Sequence, residues 1–203
     1  MKISQKKDVS IFRQFDFSST VKNAKLTVIT GPMFSGKTKS LIQKISKYNS
    51  KNKAVLVCQP KIDSRYSQHS ILSHDKDTEV EAVSIANPAE ILDLFHKANI
   101  VAIDEVQFFD NSIIPVVQEV LDAGKSIIVS GLDLDYAAKP FGTMPELMSM
   151  ADEIEKLNSV CTFCSGRARY SHRITDESEV VVLGEKDKYV PLCRQCYNEL
   201  KEK

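Results

Sequence analysis

Short apolar runs alternate with segments of helical spacing along the first 150 residues of the chain. Four runs of strand length occupy residues 26–30, 54–58, 100–103 and 126–130. Their apolar residues are consecutive rather than alternate, which is typical of strands that are covered on both faces of a sheet. The pattern therefore predicts four buried strands.

Helical spacing appears between these runs. Apolar residues three and four positions apart predict helices over 37–48, over 88–97 with Pro88 in the first turn, and over 113–121. Buried strands that alternate with amphipathic helices predict an α/β fold, in which a mostly parallel sheet carries helices on both faces. The polar residues 60–80 predict a long loop with room for a small hairpin.

The alternation ends near residue 150, and paired cysteines begin at Cys161. Short apolar runs such as 179–183 then predict a second, small β-rich module. We therefore expect an N-terminal extension over 1–24, an α/β domain over 25–157 and a small β-rich domain over 158–203.

Composition and charge narrow the classes of function. The 203 residues include 27 Lys plus Arg and 27 Asp plus Glu. This balance provides no overall field that would gather nucleic acid or an anionic membrane, and it argues against a dedicated DNA-binding protein. No run reaches the ~18 to 20 apolar residues of a membrane span, and residues 1–25 lack the apolar core of a signal peptide. Five cysteines without a secretory signal favour a reducing compartment, so we expect a cytoplasmic protein.

A glycine-rich loop follows the first predicted strand, because residues 31–38 read GPMFSGKT and fit the pattern G-x-x-x-x-G-K-[ST]. In such a loop the backbone N–H groups surround phosphates, and the dipole of the following helix assists them. We expect Lys37 to reach the β- and γ-phosphates and Thr38 to bind Mg²⁺. A chance glycine turn is the alternative, but it rarely falls between a buried strand and a helix. The residues predicted to bind ATP in this loop are Gly31, Pro32, Met33, Phe34, Ser35, Gly36, Lys37 and Thr38.

Two acids, Asp104 and Glu105, end the third predicted strand. An apolar strand that ends in acids is typical of a Walker B motif, in which Asp104 would hold Mg²⁺ directly or through water. The neighbouring carboxylate can then act as a general base, and we assign that role to Glu105. Acids that simply end a strand are the alternative interpretation.

Four cysteines form two C-x-x-C pairs, Cys161 with Cys164 and Cys193 with Cys196. Two such turns complete a tetrahedral Zn–S₄ site, and four sulfur ligands leave no position open for a substrate. We therefore predict a structural Zn²⁺ that stabilises the small C-terminal domain. Redox pairs or disulfides are the alternatives. Cys58 lies inside an apolar strand and is interpreted as a core thiol.

The order of the motifs goes beyond these general patterns. Along the chain they are GPMFSGKT (31–38), DSRY (63–66), SHD (73–75), DEVQFF (104–109), GLD (131–133), KPFG (139–142) and CRQCY (193–197). Together they closely resemble the zinc-containing (type II) thymidine kinase family, over about residues 25 to 200. The Pro-Met-Phe of the loop and the D-E-x-Q-F-F pattern are the most specific features.

The resemblance implies a P-loop NTPase fold of the RecA-like kind with a zinc ribbon, and transfer of the γ-phosphate of ATP to the 5′-hydroxyl of thymidine. Deoxyuridine is an expected further substrate. The resemblance also makes Glu105 the catalytic base, adds Asp104, Glu105 and Gln107 to the nucleotide-binding residues, and implies a homotetramer under feedback by the end-product triphosphate. By the same resemblance, the substrate-binding residues are Met33, Asp63, Arg65, Phe108, Leu132, Tyr136, Phe141, Ser171, Val180, Val182, Gly184 and Tyr189.

The resemblance further implies a loop over 180–189 that covers the base and distinguishes thymine from cytosine through main-chain groups. Asp63 and Arg65 would lie near the phosphates, where Arg65 could stabilise the charge of the transferred group. Ser171 and Tyr136 stand where threonine and phenylalanine are frequent, which leaves the fine substrate preference open. Without the resemblance, the aromatic residues of the substrate set, together with Val180 and Val182, would be interpreted as core or β-sheet packing.

Three other functions are alternatives to this one. A nucleic-acid-associated ATPase with a zinc ribbon would require a basic zinc module, whereas residues 161–203 are only modestly basic. Such an ATPase would also commonly require a second motor domain. A regulatory protein that binds nucleotide without turnover would not require Lys37, Thr38, Asp104 and Glu105 together. A kinase for a different nucleoside is the third alternative.

Overall fold

The computed structural model describes residues 24–61, 70–72, 79–175 and 188–201. The predicted extension, apart from residue 24, and the apolar run at 179–183 lie outside the described residues. The strands are β1 Leu26–Thr30, β2 Val55–Pro60, β3 Ser70–Leu72, β4 Glu79–Glu81, β5 Val83–Ile85, β6 Ile100–Ile103, β7 Ser126–Gly131, β8 Glu153–Lys156, β9 Ser159–Val160, β10 Arg167–Ala168, β11 Tyr170–Arg173 and β12 Tyr189–Leu192. The helices are α1 Lys37–Asn49, α2 Glu90–Leu94, α3 Ile113–Asp122, α4 Met144–Met150 and α5 Arg194–Lys201, with 3₁₀ turns at Phe95–Lys97 and Val106–Phe108.

Six strands form one sheet in the order β5-β2-β6-β7-β1-β8, and every neighbouring pair in it is parallel. All four predicted strands belong to this sheet, so the predicted parallel α/β architecture is confirmed. β1 lies between β7 and β8, and β7 lies beside β6. The carboxyl ends of β1, β6 and β7 therefore meet at one edge of the sheet, which is where ligands bind in folds of this class.

Alternate residues of the central strands pack into two separate apolar cores, one on each face of the sheet. In β6, Val101 and Ile103 belong to the core formed with α2, α3 and α4, whereas Ile100 and Ala102 belong to the core formed with α1 and β3. Each fully buried aliphatic side chain of this kind contributes about 1.5–3 kcal/mol to folding. The predicted helices on both faces are confirmed.

Several elements differ from the sequence prediction. The helix predicted over 88–97 is divided into α2 and the 3₁₀ turn Phe95–Lys97. The edge strands β5 and β8 and the helix α4 were not predicted. β8 reads EIEK and is mostly exposed, because an edge strand is paired on one side only and needs no continuous apolar run. Antiparallel strands β3 and β4 form a small hairpin pair within the polar segment, as expected.

A small β-rich module follows the sheet, as predicted. β9 pairs with β10 and β11 pairs with β12, both antiparallel, and α5 completes the module. Its apolar centre includes Tyr170 and Tyr197, whose rings stack with centroids 4.5 Å apart. Leu134 and Ala138, which follow β7, pack against this cluster. The module therefore contacts the segment that leaves the sheet at its carboxyl edge. Within the described ranges, no helix combines the length and the apolar character needed to cross a membrane.

Candidate active site

The glycine loop connects β1 to α1 and encloses the N-terminal end of that helix. α1 begins at Lys37, directly after Gly36, and the Ser40 N–H donates to the Gly36 carbonyl over 2.9 Å. Gly31 has a φ of 147°, and a Cβ there would lie 2.5 Å from the carbonyl oxygen of Leu157. A larger residue would therefore displace the loop from Leu157, which directly follows β8. The backbone amides and the helix end form an arrangement that suits phosphate oxygens.

Lys37 lies inside this loop and is only 7% exposed. Its ammonium donates to the carbonyl of Pro32 over 2.9 Å. Burial lowers the pKa of Lys37, while the carboxylates of Glu105, Asp104 and Asp133 act to raise it. Because a buried cation is costly unless an anion accompanies it, this position suits a phosphate held by the loop.

The side chains of Thr38 and Asp104 join the loop to the end of β6. The Thr38 hydroxyl donates to Asp104 Oδ2 over 3.0 Å. Burial and the adjacent Glu105 carboxylate raise the pKa of Asp104 to about 6, against the opposing effects of the Ser130 and Thr38 hydroxyls and the Lys37 charge. A hydroxyl and a carboxylate held this close are the oxygen ligands that Mg²⁺ takes in P-loop proteins. The residues present therefore fit a Mg²⁺ ion at this point.

Glu105 follows Asp104 in a left-handed backbone conformation, with φ 51° and ψ 38°. A non-glycine residue in this region costs of order 1–3 kcal/mol, and such strain is concentrated at functional sites. The turn leads from β6 into the 3₁₀ turn Val106–Phe108. The side-chain amide of Gln107 then donates to Glu105 Oε2 over 2.5 Å. One carboxylate oxygen of the predicted base is thus held by a neighbouring side chain.

Several residues predicted to contact the nucleoside come together around this edge of the sheet. The rings of Phe108 and Phe141 meet edge to face, with centroids 5.7 Å apart. Ser171 of β11 is buried, and its hydroxyl accepts a hydrogen bond from the Met33 N–H over 2.9 Å. The Leu132 N–H donates to the side chain of Gln107 over 3.1 Å. Contacts therefore join the glycine loop, the 3₁₀ turn, the segment after β7 and the C-terminal module.

Arg173 is a buried residue at this edge that the sequence interpretation missed. It is 6% exposed, and its guanidinium lies 3.8 Å from the ring centroid of Tyr136. Its Nη2 donates to the Tyr189 hydroxyl over 2.9 Å, so it contacts two residues of the predicted substrate set. The one available signal was its place two residues after Ser171, which puts both on the same face of a strand.

Five of the predicted substrate residues lie outside the described residues. They are Asp63, Arg65, Val180, Val182 and Gly184. Their roles, and that of the covering loop over 180–189, stay predictions.

The two cysteine pairs come together, as predicted. Their four sulfur atoms all lie within 4.8 Å of one another, and the Sγ atoms of Cys164 and Cys193 are 3.6 Å apart. A tetrahedral site with Zn–S bonds of ~2.3 Å has sulfurs about 3.8 Å apart, so the cluster fits a zinc ion. The Cys196 N–H also donates to the sulfur of Cys193 over 3.5 Å, as suits a thiolate. Of the five cysteines, Cys58 lies apart in the sheet, and burial raises its pKa to about 12, as expected for a core thiol.

The chain is similar to known proteins over most of its length. Residues 24–197 match the thymidine kinase family. A thymidine kinase of Bacteroides thetaiotaomicron is 37% identical over 187 residues, which cover 92% of this chain and 94% of that protein. A thymidine kinase of a Rhodothermus species is 40% identical over 172 residues, which cover 85% of this chain and 80% of that protein.

A solved structure offers a more distant likeness. The genome packaging NTPase B204 from Sulfolobus turreted icosahedral virus 2, in complex with ATP-gammaS, is 17% identical with a TM-score of 0.44. The likeness covers 67% of this chain and 75% of that chain.

Proposed function

Because this chain belongs to the thymidine kinase family, we propose that it transfers the γ-phosphate of ATP to the 5′-hydroxyl of thymidine with Glu105 as the base. The family and the enzyme class are those that the sequence motifs predicted. The observation that carries the proposal is the meeting of Thr38, Asp104 and Glu105 at the mouth of the glycine loop. The roles of individual residues are proposals that rest on this geometry.

The loop residues 31–38 bind the triphosphate of ATP in this proposal. Apart from the Met33 N–H, which donates to Ser171, the N–H groups of the loop and the N-terminal end of α1 face the phosphate oxygens. Lys37 contributes a buried positive charge. Thr38 and Asp104 would hold Mg²⁺, which would supply positive charge to the β- and γ-phosphates. The predicted residues Asp63 and Arg65 act on the same phosphates, where Arg65 stabilises the charge of the transferred group.

Glu105 accepts the proton of the nucleoside 5′-hydroxyl. The oxygen of that hydroxyl forms a bond to the γ-phosphorus, the bond from the γ-phosphorus to the β,γ-bridging oxygen breaks, and ADP leaves. The proton stays on the Glu105 carboxyl until it is released to solvent. Positioning and charge stabilisation provide most of the acceleration in reactions of this kind.

The nucleoside occupies the space between the glycine loop and the C-terminal module. Phe108 and Phe141 supply apolar walls, and the contact between Met33 and Ser171 fixes the loop against β11. Predicted main-chain contacts from 180–189 distinguish thymine from cytosine by hydrogen-bond pattern. The same pocket accepts deoxyuridine. The remaining predicted substrate contacts are Leu132, Tyr136, Val180, Val182, Gly184 and Tyr189.

The zinc ion has a structural role in this proposal. Four cysteine ligands fill a tetrahedral site, so no coordination position remains for the substrate. When bound, the ion would hold the segment before β10 against the end of β12 and the first turn of α5, and so would support the strands that carry Ser171 and Tyr189. Four reduced thiolates are expected in the cytoplasm, where we place the protein. A homotetramer and feedback by the end-product triphosphate remain implications of the family.

The test is a coupled kinase assay with ATP and Mg²⁺ that offers thymidine, deoxyuridine, deoxycytidine and deoxyadenosine in parallel. We expect efficient phosphorylation of thymidine and deoxyuridine, and poor phosphorylation of the other two. Efficient use of deoxycytidine or deoxyadenosine would contradict the pocket assignment. ATP hydrolysis that appears only when DNA is added would favour the nucleic-acid-associated ATPase instead.

A further inference from the structure

The side chain of Gln107 is almost completely enclosed at the centre of the site. Gln107 is 3% exposed and belongs to the 3₁₀ turn Val106–Phe108 that follows the predicted base. Its amide nitrogen donates to Glu105 Oε2 over 2.5 Å, and its amide oxygen accepts from the Leu132 N–H over 3.1 Å. One carboxamide thus joins the predicted base to a predicted wall of the nucleoside pocket.

The Leu132 N–H determines the orientation of this carboxamide. A backbone N–H can only donate, so the atom of Gln107 that faces Leu132 must be the oxygen. The NH₂ group must then face Glu105, and it too can only donate. Glu105 Oε2 is therefore held as a hydrogen-bond acceptor in a fixed position.

The end of β7 leaves room for this arrangement. Gly131 directly precedes Leu132, and a Cβ at Gly131 would lie 2.6 Å from the side-chain oxygen of Gln107. A side chain at that position would displace the carboxamide and break its contact with Leu132. Gly131 therefore leaves the space that the Gln107 carboxamide occupies.

We propose that Gln107 is a positioning residue for phosphoryl transfer. It fixes Glu105 Oε2, so that the second carboxylate oxygen is available for the nucleoside hydroxyl, and it sets the distance between the base and the Leu132 wall. Gln107 therefore affects phosphoryl transfer only indirectly, through the position of Glu105. This inference rests on the proposed role of Glu105 as the base.

Two substitutions test the hydrogen bonds of Gln107, one by removing the bond to Glu105 and the other by removing both bonds. Gln107→Glu keeps an oxygen for the Leu132 N–H but replaces the donor to Glu105 with a second carboxylate oxygen. Gln107→Met keeps the length of the side chain and removes both hydrogen bonds. We expect each variant to lose on the order of 100-fold in kcat, because small displacements of a catalytic group have effects of that size. The KM for ATP and the affinity for a nucleotide analogue stay at the wild-type values.

Gln118 provides a matched control. It is exposed on α3, and its side-chain amide donates to the Asp122 carboxylate over 2.9 Å. Gln118→Glu and Gln118→Met repeat the same chemical changes at a carboxylate outside the site. Both should retain the wild-type kcat and KM.

The outcomes distinguish the positioning role from the proposed function. A wild-type protein that phosphorylates no nucleoside overturns both proposals. An active wild type with an unchanged kcat in both Gln107 variants overturns the positioning role alone. A raised KM for ATP at wild-type kcat assigns Gln107 to direct nucleotide contact, and loss of nucleotide binding in both variants assigns it to folding; either result contradicts the inference.

Discussion

The hydroxyl of Ser171 accepts a hydrogen bond of 2.9 Å from the backbone N–H of Met33. This contact joins β11 of the cysteine-bearing module to the middle of the glycine loop, across 138 positions of sequence. The loop that is proposed to bind ATP and the module that is proposed to cover the nucleoside are therefore held against each other. Changes in one are expected to affect binding in the other.

Removal of the Ser171 hydroxyl should weaken substrate binding without abolishing the reaction. Ser171→Ala leaves the Met33 N–H without its acceptor, and such a loss costs about 1–3 kcal/mol when the group is buried. We expect the KM for thymidine to rise on the order of tenfold. Ser171→Thr keeps the hydroxyl and is the matched control. Equal KM values in Ser171→Ala and the wild type would show that the contact does not support the pocket.

Substitution of the proposed base should affect turnover much more than binding. Glu105→Gln keeps the size of the side chain but removes the proton acceptor, and we expect kcat to fall by about 10²- to 10⁴-fold. The dissociation constant for ATP should remain near the wild-type value, because Lys37 and Thr38 are unchanged. Glu119→Gln on the exposed side of α3 serves as the control. A wild-type kcat in Glu105→Gln would remove Glu105 from the mechanism.

Removal of zinc should abolish thymidine binding while ATP binding persists. The ion would hold Cys161 and Cys164 against Cys193, which directly follows β12, and Cys196, which lies in the first turn of α5. Without it, the segment over 180–189 is expected to lose its anchor. Metal analysis should find one zinc ion per chain, and calorimetry after chelation should detect no thymidine binding. An unchanged thymidine affinity in metal-free but folded protein would contradict the requirement of zinc for thymidine binding.

Arg173 should prove important for nucleoside affinity. Its guanidinium packs on the Tyr136 ring and donates to the Tyr189 hydroxyl, so it orients two proposed substrate contacts. Arg173→Lys keeps the charge but loses the planar group that makes both contacts, and we expect the KM for thymidine to rise on the order of tenfold. Arg169→Lys, at an exposed position of the same module, should have no effect. Equal thymidine KM values in the two variants would count against a role for Arg173.

The features that the sequence predicted are those that local spacing determines. The glycine loop, the acids after β6 and the two cysteine pairs each depend on residues only a few positions apart. The central strands were predictable because burial on both faces leaves a continuous apolar run, as in β6. The sequence also predicted which family these motifs belong to.

The features that it did not predict depend on contacts between distant segments. β8 is an edge strand with a mostly exposed, polar sequence, and it belongs to the sheet only because it pairs with β1. Arg173 resembles any surface arginine until β11 is placed beside Tyr136. Gln107 was predicted to bind nucleotide, but its hydrogen bonds to Glu105 and Leu132 required the end of β7 to be located.

The most direct test of the account is to follow the labelled γ-phosphate of ATP in the presence of thymidine, with the wild-type protein and Glu105→Gln side by side. We predict that the wild type transfers the label to the 5′ position of thymidine monophosphate, and that Glu105→Gln binds ATP but transfers almost none. Release of the label as inorganic phosphate by the wild type, with no labelled nucleotide product, would contradict the central claim.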